Sequence, residues 1–219
     1  LKDFTDDMAE VCPNAYFLNY TNPMAQLAGY LGRYTPIKSV GLCHSVQGCS
    51  RNLLKDLGIE YKEPLRESIA GINHMGWLLE LEDADGNDLY PEIRERAIAI
   101  LESGKTDHHD LVRYEYIRRL GYYCTESSEH NAEYNPLFIK SRYPELIEQF
   151  NIPLDEYPRR CVNQIANWKK QKEELFAGGE ITHERSREYA SHIMESMVTN
   201  KPYKIGGNVI NNGLITNLV

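Results

Sequence analysis

The sequence predicts an α/β protein, with a parallel strand–helix unit at the start and a mixed α+β region after it. Three observations carry that expectation. Two short apolar runs, Ala15 to Tyr20 and Lys38 to Cys43, flank one helix-length segment, and a second such segment follows. Trp77, Leu79 and Leu81 then alternate with Leu78, Glu80 and Glu82, as in a half-exposed antiparallel strand. Beyond Pro91 apolar residues recur at helical spacing.

Residues 1–10 have helix-compatible spacing that stops near Pro13. The run AYFLNY is short, apolar and aromatic, and reads as a buried strand. It enters Thr21-Asn22-Pro23, where Asn22 can cap a helix and Pro23 suits its first turn. Met24, Leu27, Tyr30 and Leu31 share one face of that helix. The second strand leads through a loop to a helix holding Leu53, Leu54 and Leu57, ended by Gly58. Short connections make this a βαβ unit, and therefore a parallel sheet. Asp83-Ala84-Asp85-Gly86-Asn87-Asp88 carries its glycine fourth, whereas a calcium loop needs it sixth, so a hairpin turn is expected. Ile93, Ala97, Ile100 and Leu101 form one apolar helix face, and Ala190, Ile193, Met194 and Met197 another. Residues 121–160 show no clean period, and a long irregular stretch inside a domain points to function. Tyr203 to Val219 reads as a strand threaded with Gly and Asn.

The 219 residues carry 24 Lys and Arg against 32 Asp and Glu, a formal net charge of −8. That balance, with no basic block, argues against nucleic-acid or anionic-membrane binding. No apolar run nears the ~20 residues that span a bilayer, and no leader opens the chain, so a soluble, cytoplasmic protein is expected. The chain begins at Leu1 rather than Met and ends on an apolar run at Val219, as expected of the interior of a longer protein. The five cysteines are irregularly spaced with no C-x-x-C pair, which indicates neither a zinc knuckle nor a disulfide framework.

Five clusters could carry chemistry. Asn19-Tyr20-Thr21-Asn22-Pro23 lies at the carboxyl end of a parallel strand, where ligands bind in open α/β sheets; it is either a polar contact to a sugar or amide, or a plain helix cap. Gly41-Leu42-Cys43-His44-Ser45-Val46-Gln47-Gly48 ends the next strand with a thiol beside an imidazole. The two could bind a divalent metal or form a nucleophile–base pair, or be a buried Cys beside a surface His. Neighbours on an extended strand point to opposite faces, so Cys43 and His44 do not share one metal unless the chain turns. Gly71-Ile72-Asn73-His74-Met75-Gly76-Trp77 supplies His74, the natural partner if Cys43 binds a metal, or else an ordinary strand histidine. Thr125 to Tyr134, preceded by Tyr122 and Tyr123, concentrates acids, bases and donors, or is a solvated loop. Gly206 to Gly213 is turn chemistry or a polar pocket wall. G-x-G-x-x-G, a Walker loop, G-x-S-x-G and H-E-x-x-H are all missing from the sequence.

Taken in order, N-Y-T-N-P-M-A, G-L-C-H-S-V-Q-G, G-I-N-H-M-G-W, T-E-S-S-E-H-N-A-E-Y and G-N-V-I-N-N-G-L-I resemble glycoside hydrolase family 4, in the form of its α-galactosidase branch. The resemblance implies that residues 1–45 are the C-terminal part of a Rossmann-like, lactate/malate-dehydrogenase-like NAD-binding domain, and 46–219 an incomplete α+β catalytic domain. It implies NAD and Mn²⁺ as cofactors, a small α-galactoside as substrate and a homo-oligomer when full length. The implied chemistry is C3 oxidation of the sugar, C2 deprotonation, elimination of the glycosidic oxygen, water addition and return of the hydride, a route outside two-carboxylate hydrolysis.

By the same resemblance Cys43 and His74 hold the metal, and His44 is the acid to the leaving group. Asn22 and Asn73 touch substrate, and Thr21 with Asn22 touches cofactor. The C2 base is sought in the stretch 128–134, with Tyr134 or His130 as candidates and Tyr123 as an outside alternative. A tyrosine there needs a nearby cation to lower a reference pKa near ~10. The family's Gly-rich loop is expected before Leu1, so the 219 residues alone are expected to bind NAD⁺ poorly. Related specificities, α-glucosidase and α-galacturonidase, stay open, as do a 2-hydroxy-acid dehydrogenase and a catalytically incompetent sugar- or metal-binding fragment.

Overall fold

A computed structural model describes residues 1–178, 188–213 and 215–216. The chain forms two compact units, one of residues 1–151 with 204–219 and one of residues 152–203. In the first unit, α1 (Lys2–Val11) precedes β1 (Tyr16–Asn19), α2 (Met24–Tyr34), β2 (Lys38–Gly41) and α3 (Cys49–Leu57). β1 and β2 pair in parallel, Tyr16 opposite Lys38 and Asn19 opposite Gly41, with α2 as the crossover. This is the expected βαβ unit.

Three expectations shift here. AYFLNY is not a buried strand: Tyr16 is half exposed and only Asn19 is buried, because the sheet has just two strands among the described residues. The first helix residue is Met24 and Pro23 is its N-cap, while the Asn22 Oδ1 accepts from the Met24 amide at 3.3 Å. Residues 203–213 form no strand. Asn208 alone bridges Gly41, through N–H···O contacts of 2.9 and 2.7 Å, and residues 214 and 217–219 lie outside the described residues.

An antiparallel sheet follows, β3 (Arg66–Ile72), β4 (Met75–Glu82) and β5 (Tyr123–Cys124), in the order β3-β4-β5. A register shift between Ser68 and Ile69 pairs Ile69 with Leu78 and Ser68 with Glu80, which leaves Leu79 as the extra residue. That bulge breaks the expected alternation: Leu81 is buried as expected, but Leu78 is buried and Leu79 exposed. The Asp83–Asn87 turn closes β4, its Asp83 carboxylate accepting from the amides of Asp85 and Asn87 and from the Asn87 side chain.

α4 (Tyr90–Glu102) and α5 (Leu111–Leu120) cover this sheet. Leu53, Leu54 and Leu57 of α3 join Leu78, Leu81, Ile93, Ala97, Tyr114, Ile117 and Tyr123 in one core. Each buried leucine there contributes roughly 1.5–3 kcal/mol over an exposed one. The irregular region holds α6 (Ser128–Tyr134) and α7 (Glu145–Gln149), too short and polar to show a period. The second unit carries α8 (Glu156–Phe176) and α9 (Ala190–Thr199); Met194 and Met197 of α9 are exposed. No helix of the described residues is long and apolar enough to cross a membrane.

Candidate active site

Three chain segments deliver the candidate residues to one place. β2 ends at Gly41, and the Leu42 amide still donates to the Asn19 carbonyl at 2.8 Å, so Cys43 emerges at the carboxyl end of a parallel strand. Asn73 and His74 form the two-residue loop between β3 and β4, with Ile72 opposite Met75 as the last pair. Gly71 has φ +127°, and a Cβ there would lie 2.6 Å from the Met75 carbonyl oxygen, so this tight hairpin requires glycine. The third segment leaves β5 beside that loop. The Thr125 amide donates to the Gly76 carbonyl at 2.9 Å, and a Cβ on Gly76 would sit 3.0 Å from the Thr125 Oγ1. Glu126 therefore arrives next to His74, and α6 begins two residues later.

The ligand atoms of Cys43, His74 and Glu126 all lie within 4.8 Å of one another, and all three residues are half-buried. The His74 Nε2 is 3.5 Å from Glu126 Oε2, while its Nδ1 is 3.1 Å from the Tyr134 hydroxyl. The Tyr134 ring stacks on His74 with centroids 5.9 Å apart, and the His130 ring stands edge-on to both. Ser127 Oγ lies 3.1 Å from His130 Nδ1. Asn131, fully buried, donates to the carbonyls of Glu126 and Ser127 at 2.8 and 3.0 Å and fixes the turn into α6. Ser45 Oγ links the other two segments, 3.3 Å from Cys43 Sγ and 3.4 Å from the Asn73 amide nitrogen that donates to it.

Of the residues expected from sequence, Cys43, His74, His130 and Tyr134 come together, and Asn73 joins them through Ser45. His44 is exposed and stacks on Tyr20 at 5.4 Å, which sets the end of β1 beside the end of β2. Thr21 and Asn22 are exposed in the turn between β1 and α2; the Thr21 amide donates to Asn19 Oδ1 at 3.2 Å. Glu126 carried no role in the sequence reading. Its only signal was membership of the acid-rich stretch, because nothing in the spacing ties it to Cys43 or His74.

Burial, with the negative fields of Glu126, Glu133 and Cys43, pushes the Tyr134 phenol above its ordinary value. A cation beside it would act in the opposite sense. A thiolate, an imidazole and a carboxylate form a donor set that suits a divalent transition metal, with two negative charges to offset its two positive ones.

Comparison with known proteins shows the family. The family model described as "Family 4 glycosyl hydrolase" matches residues 1–59, and that for the "Family 4 glycosyl hydrolase C-terminal domain" matches residues 69–219. The chain belongs to glycosyl hydrolase family 4. Among family 4 relatives, an alpha-galactosidase of Bacillus subtilis (strain 168) is 60% identical over 218 residues, covering 100% of this chain and 49% of its own. An alpha-galactosidase of Rhizobium meliloti (strain 1021) is 33% identical over 99% of this chain and 45% of its own. The chain thus spans about half the length of the curated relatives it matches. The solved structure of Bacillus subtilis lplD superposes with a TM-score of 0.79 at 22% identity, over 99% of this chain and 53% of that one. A 6-phospho-alpha-glucosidase from gut microorganisms, solved in complex with NAD and Mn²⁺, gives 0.65 at 21% identity, over 100% and 52%.

The family 4 chain also has a cavity of about 770 Å³ away from these residues, walled by α2, β3, residues 207–213 and Ile215. Among the described residues its wall carries Arg33 and the asparagines 208, 211 and 212, but no Cys, His, Asp or Glu. Of the Gly206–Gly213 segment, residues 207–213 line this pocket with these asparagines and with the apolar Val209 and Ile210, and residues 212–213 form a turn. Metal and proton chemistry need donors of the kind that Cys43, His74 and Glu126 bring together, which makes that group the candidate site. Asp56, His109 and Asp110 form a second cluster of such donors, away from the residues expected from sequence.

Proposed function

We propose that the intact protein hydrolyses α-galactosides with NAD and Mn²⁺ as cofactors. One observation carries the reading: Cys43 and His74 converge with the Tyr134 phenol on His74, in a chain 60% identical to an alpha-galactosidase over 218 residues. The gut 6-phospho-alpha-glucosidase in complex with NAD and Mn²⁺ supports extending both cofactors to this chain.

Cys43 and His74 hold the cation, each from a loop that its strand pairing fixes. When bound, the cation would supply Lewis-acid polarisation of sugar oxygens, and NAD⁺ a hydride acceptor. Tyr134 or His130 removes the C2 proton. His44, on the exposed side of the same turn as Cys43, donates a proton to the departing glycosidic oxygen. Asn22 and Asn73 hydrogen-bond sugar hydroxyls, and Thr21 with Asn22 touches the cofactor at the carboxyl end of β1. In this reading residues 1–45 belong to a Rossmann-like NAD-binding domain and 46–219 to the catalytic domain. The protein works in the cytoplasm as a homo-oligomer.

The test is hydrolysis of aryl α-glycosides by the intact protein with NAD⁺, Mn²⁺ and a reductant. The α-galactoside turns over fastest, NADH does not accumulate, and Cys43→Ala falls to background. Faster turnover of the α-glucoside or α-galacturonide would replace the substrate assignment, and full activity in Cys43→Ala would remove the metal assignment.

A further inference from the structure

We propose that Glu126 is a third protein ligand of the cation and the group that tunes the site toward Mn²⁺. The inference rests on the reading of Cys43 and His74 as the metal pair. A thiolate and an imidazole alone suit Zn²⁺ or copper, whereas Mn²⁺ prefers oxygen donors. Among the described residues, Glu126 provides the one carboxylate whose oxygen lies within 4.8 Å of both the Cys43 sulfur and a His74 ring nitrogen. It is also held there. The Ser127 amide donates to Oε1 at 2.9 Å and Asn131 fixes its backbone carbonyl, which leaves Oε2 directed at His74 Nε2, 3.5 Å away. A carboxylate with one oxygen anchored, and lying within 4.8 Å of a thiol and an imidazole, has the arrangement of a ligand oriented by its own supporting contacts.

The experiment titrates Mn²⁺ and Zn²⁺ into the intact protein and its Glu126→Gln, Glu126→Asp and Cys43→Ala variants. Free Mn²⁺ is followed by its electron paramagnetic resonance signal, and Co²⁺ substitution reports the thiolate charge-transfer band. Glu126→Gln should lose about 10–100-fold in Mn²⁺ affinity. It should keep the cobalt–thiolate band and most of its Zn²⁺ affinity, so the Mn²⁺/Zn²⁺ preference falls. A misfolded variant would lose both metals and the band together. Glu126→Asp retains the charge but shortens the reach, and it should also weaken Mn²⁺. Mn²⁺ affinity unchanged in Glu126→Gln, or fully kept by Glu126→Asp, overturns the ligand role while Cys43→Ala still loses the metal. Wild-type Mn²⁺ affinity in Cys43→Ala instead overturns the metal pair itself.

Discussion

The Nδ1 atom of His74 lies 3.1 Å from the hydroxyl of Tyr134, a residue 60 positions further along the chain. The contact joins the β3–β4 loop to the last turn of α6. It gives the phenol two candidate duties, orienting His74 or exchanging a proton with substrate.

Tyr134→Phe separates them. If Tyr134 is the C2 base, kcat on an aryl α-galactoside falls by about 10²–10⁴-fold and stays low at saturating Mn²⁺. The primary isotope effect from deuterium at C2 then marks the slowed step. If the hydroxyl only orients His74, Mn²⁺ affinity falls by about 10–100-fold and added Mn²⁺ restores the rate. A Tyr134→Phe enzyme with full kcat, beside a His130→Gln enzyme without it, would move the base to His130.

The cysteines divide by burial. Cys12 and Cys161 are exposed, whereas Cys49 and Cys124 are buried, and burial pushes the Cys49 thiol up to about 12 and raises that of Cys124. Iodoacetamide on the native protein should label Cys12 and Cys161 and spare Cys49 and Cys124. Unfolded, the Cys49 thiol titrates near 9.0, so its stabilising share is complete below that pH and is lost as pH rises through about 12. Urea midpoints should therefore fall as pH rises from about 9 to about 12, and less steeply in Cys49→Ala. Equal slopes in the two proteins would refute the assignment.

How much of this was legible in the sequence depended on whether a local pattern existed. The βαβ unit could be read because α2 and α3 each bury one regular stripe between strands. The two faces of β4 could not, because the bulge at Leu79 leaves no mark in the polarity of Trp77 to Glu82. α6 escaped notice for a related reason. Its seven residues bury only Ser128, Asn131 and Ala132, so it has no apolar period to detect. Cys43 and His74 stood out as chemical types beside glycines. Glu126 meets them only through the pairing of β4 with β5 and the Thr125–Gly76 hydrogen bond, long-range contacts that no spacing encodes.

α6 is held in place by a buried ion pair. The Asp110 carboxylate, fully buried, accepts from Tyr123 Oη at 2.6 Å and Ser128 Oγ at 2.9 Å and pairs with Arg113, whose guanidinium lies over the Tyr123 ring. Ser128 is the first residue of α6, so this network ties α5 to the helix that carries His130 and Tyr134. Removing one partner of a buried pair strands the other charge, at about 3–5 kcal/mol. Asp110→Asn should lose that much in urea unfolding, and a loss no larger than that of an exposed surface substitution would show the network to be dispensable.

Gly71 offers the sharpest separation of backbone strain from site chemistry. Its φ of +127° suits glycine, and a Cβ would meet the Met75 carbonyl oxygen at 2.6 Å and the Gly76 Cα at 3.1 Å. Both neighbours are backbone, so no side chain can turn aside and the hairpin holding Asn73 and His74 must open. Gly104 also has a positive φ, +70°, but nothing lies within 4 Å of its would-be Cβ. Gly71→Ala should therefore cost about 1–3 kcal/mol or more and weaken Mn²⁺ binding as His74 shifts away from Cys43. Gly104→Ala carries only the backbone penalty and leaves Mn²⁺ affinity unchanged. Should both variants bind Mn²⁺ equally well, the tight turn at Gly71 would not be what positions His74.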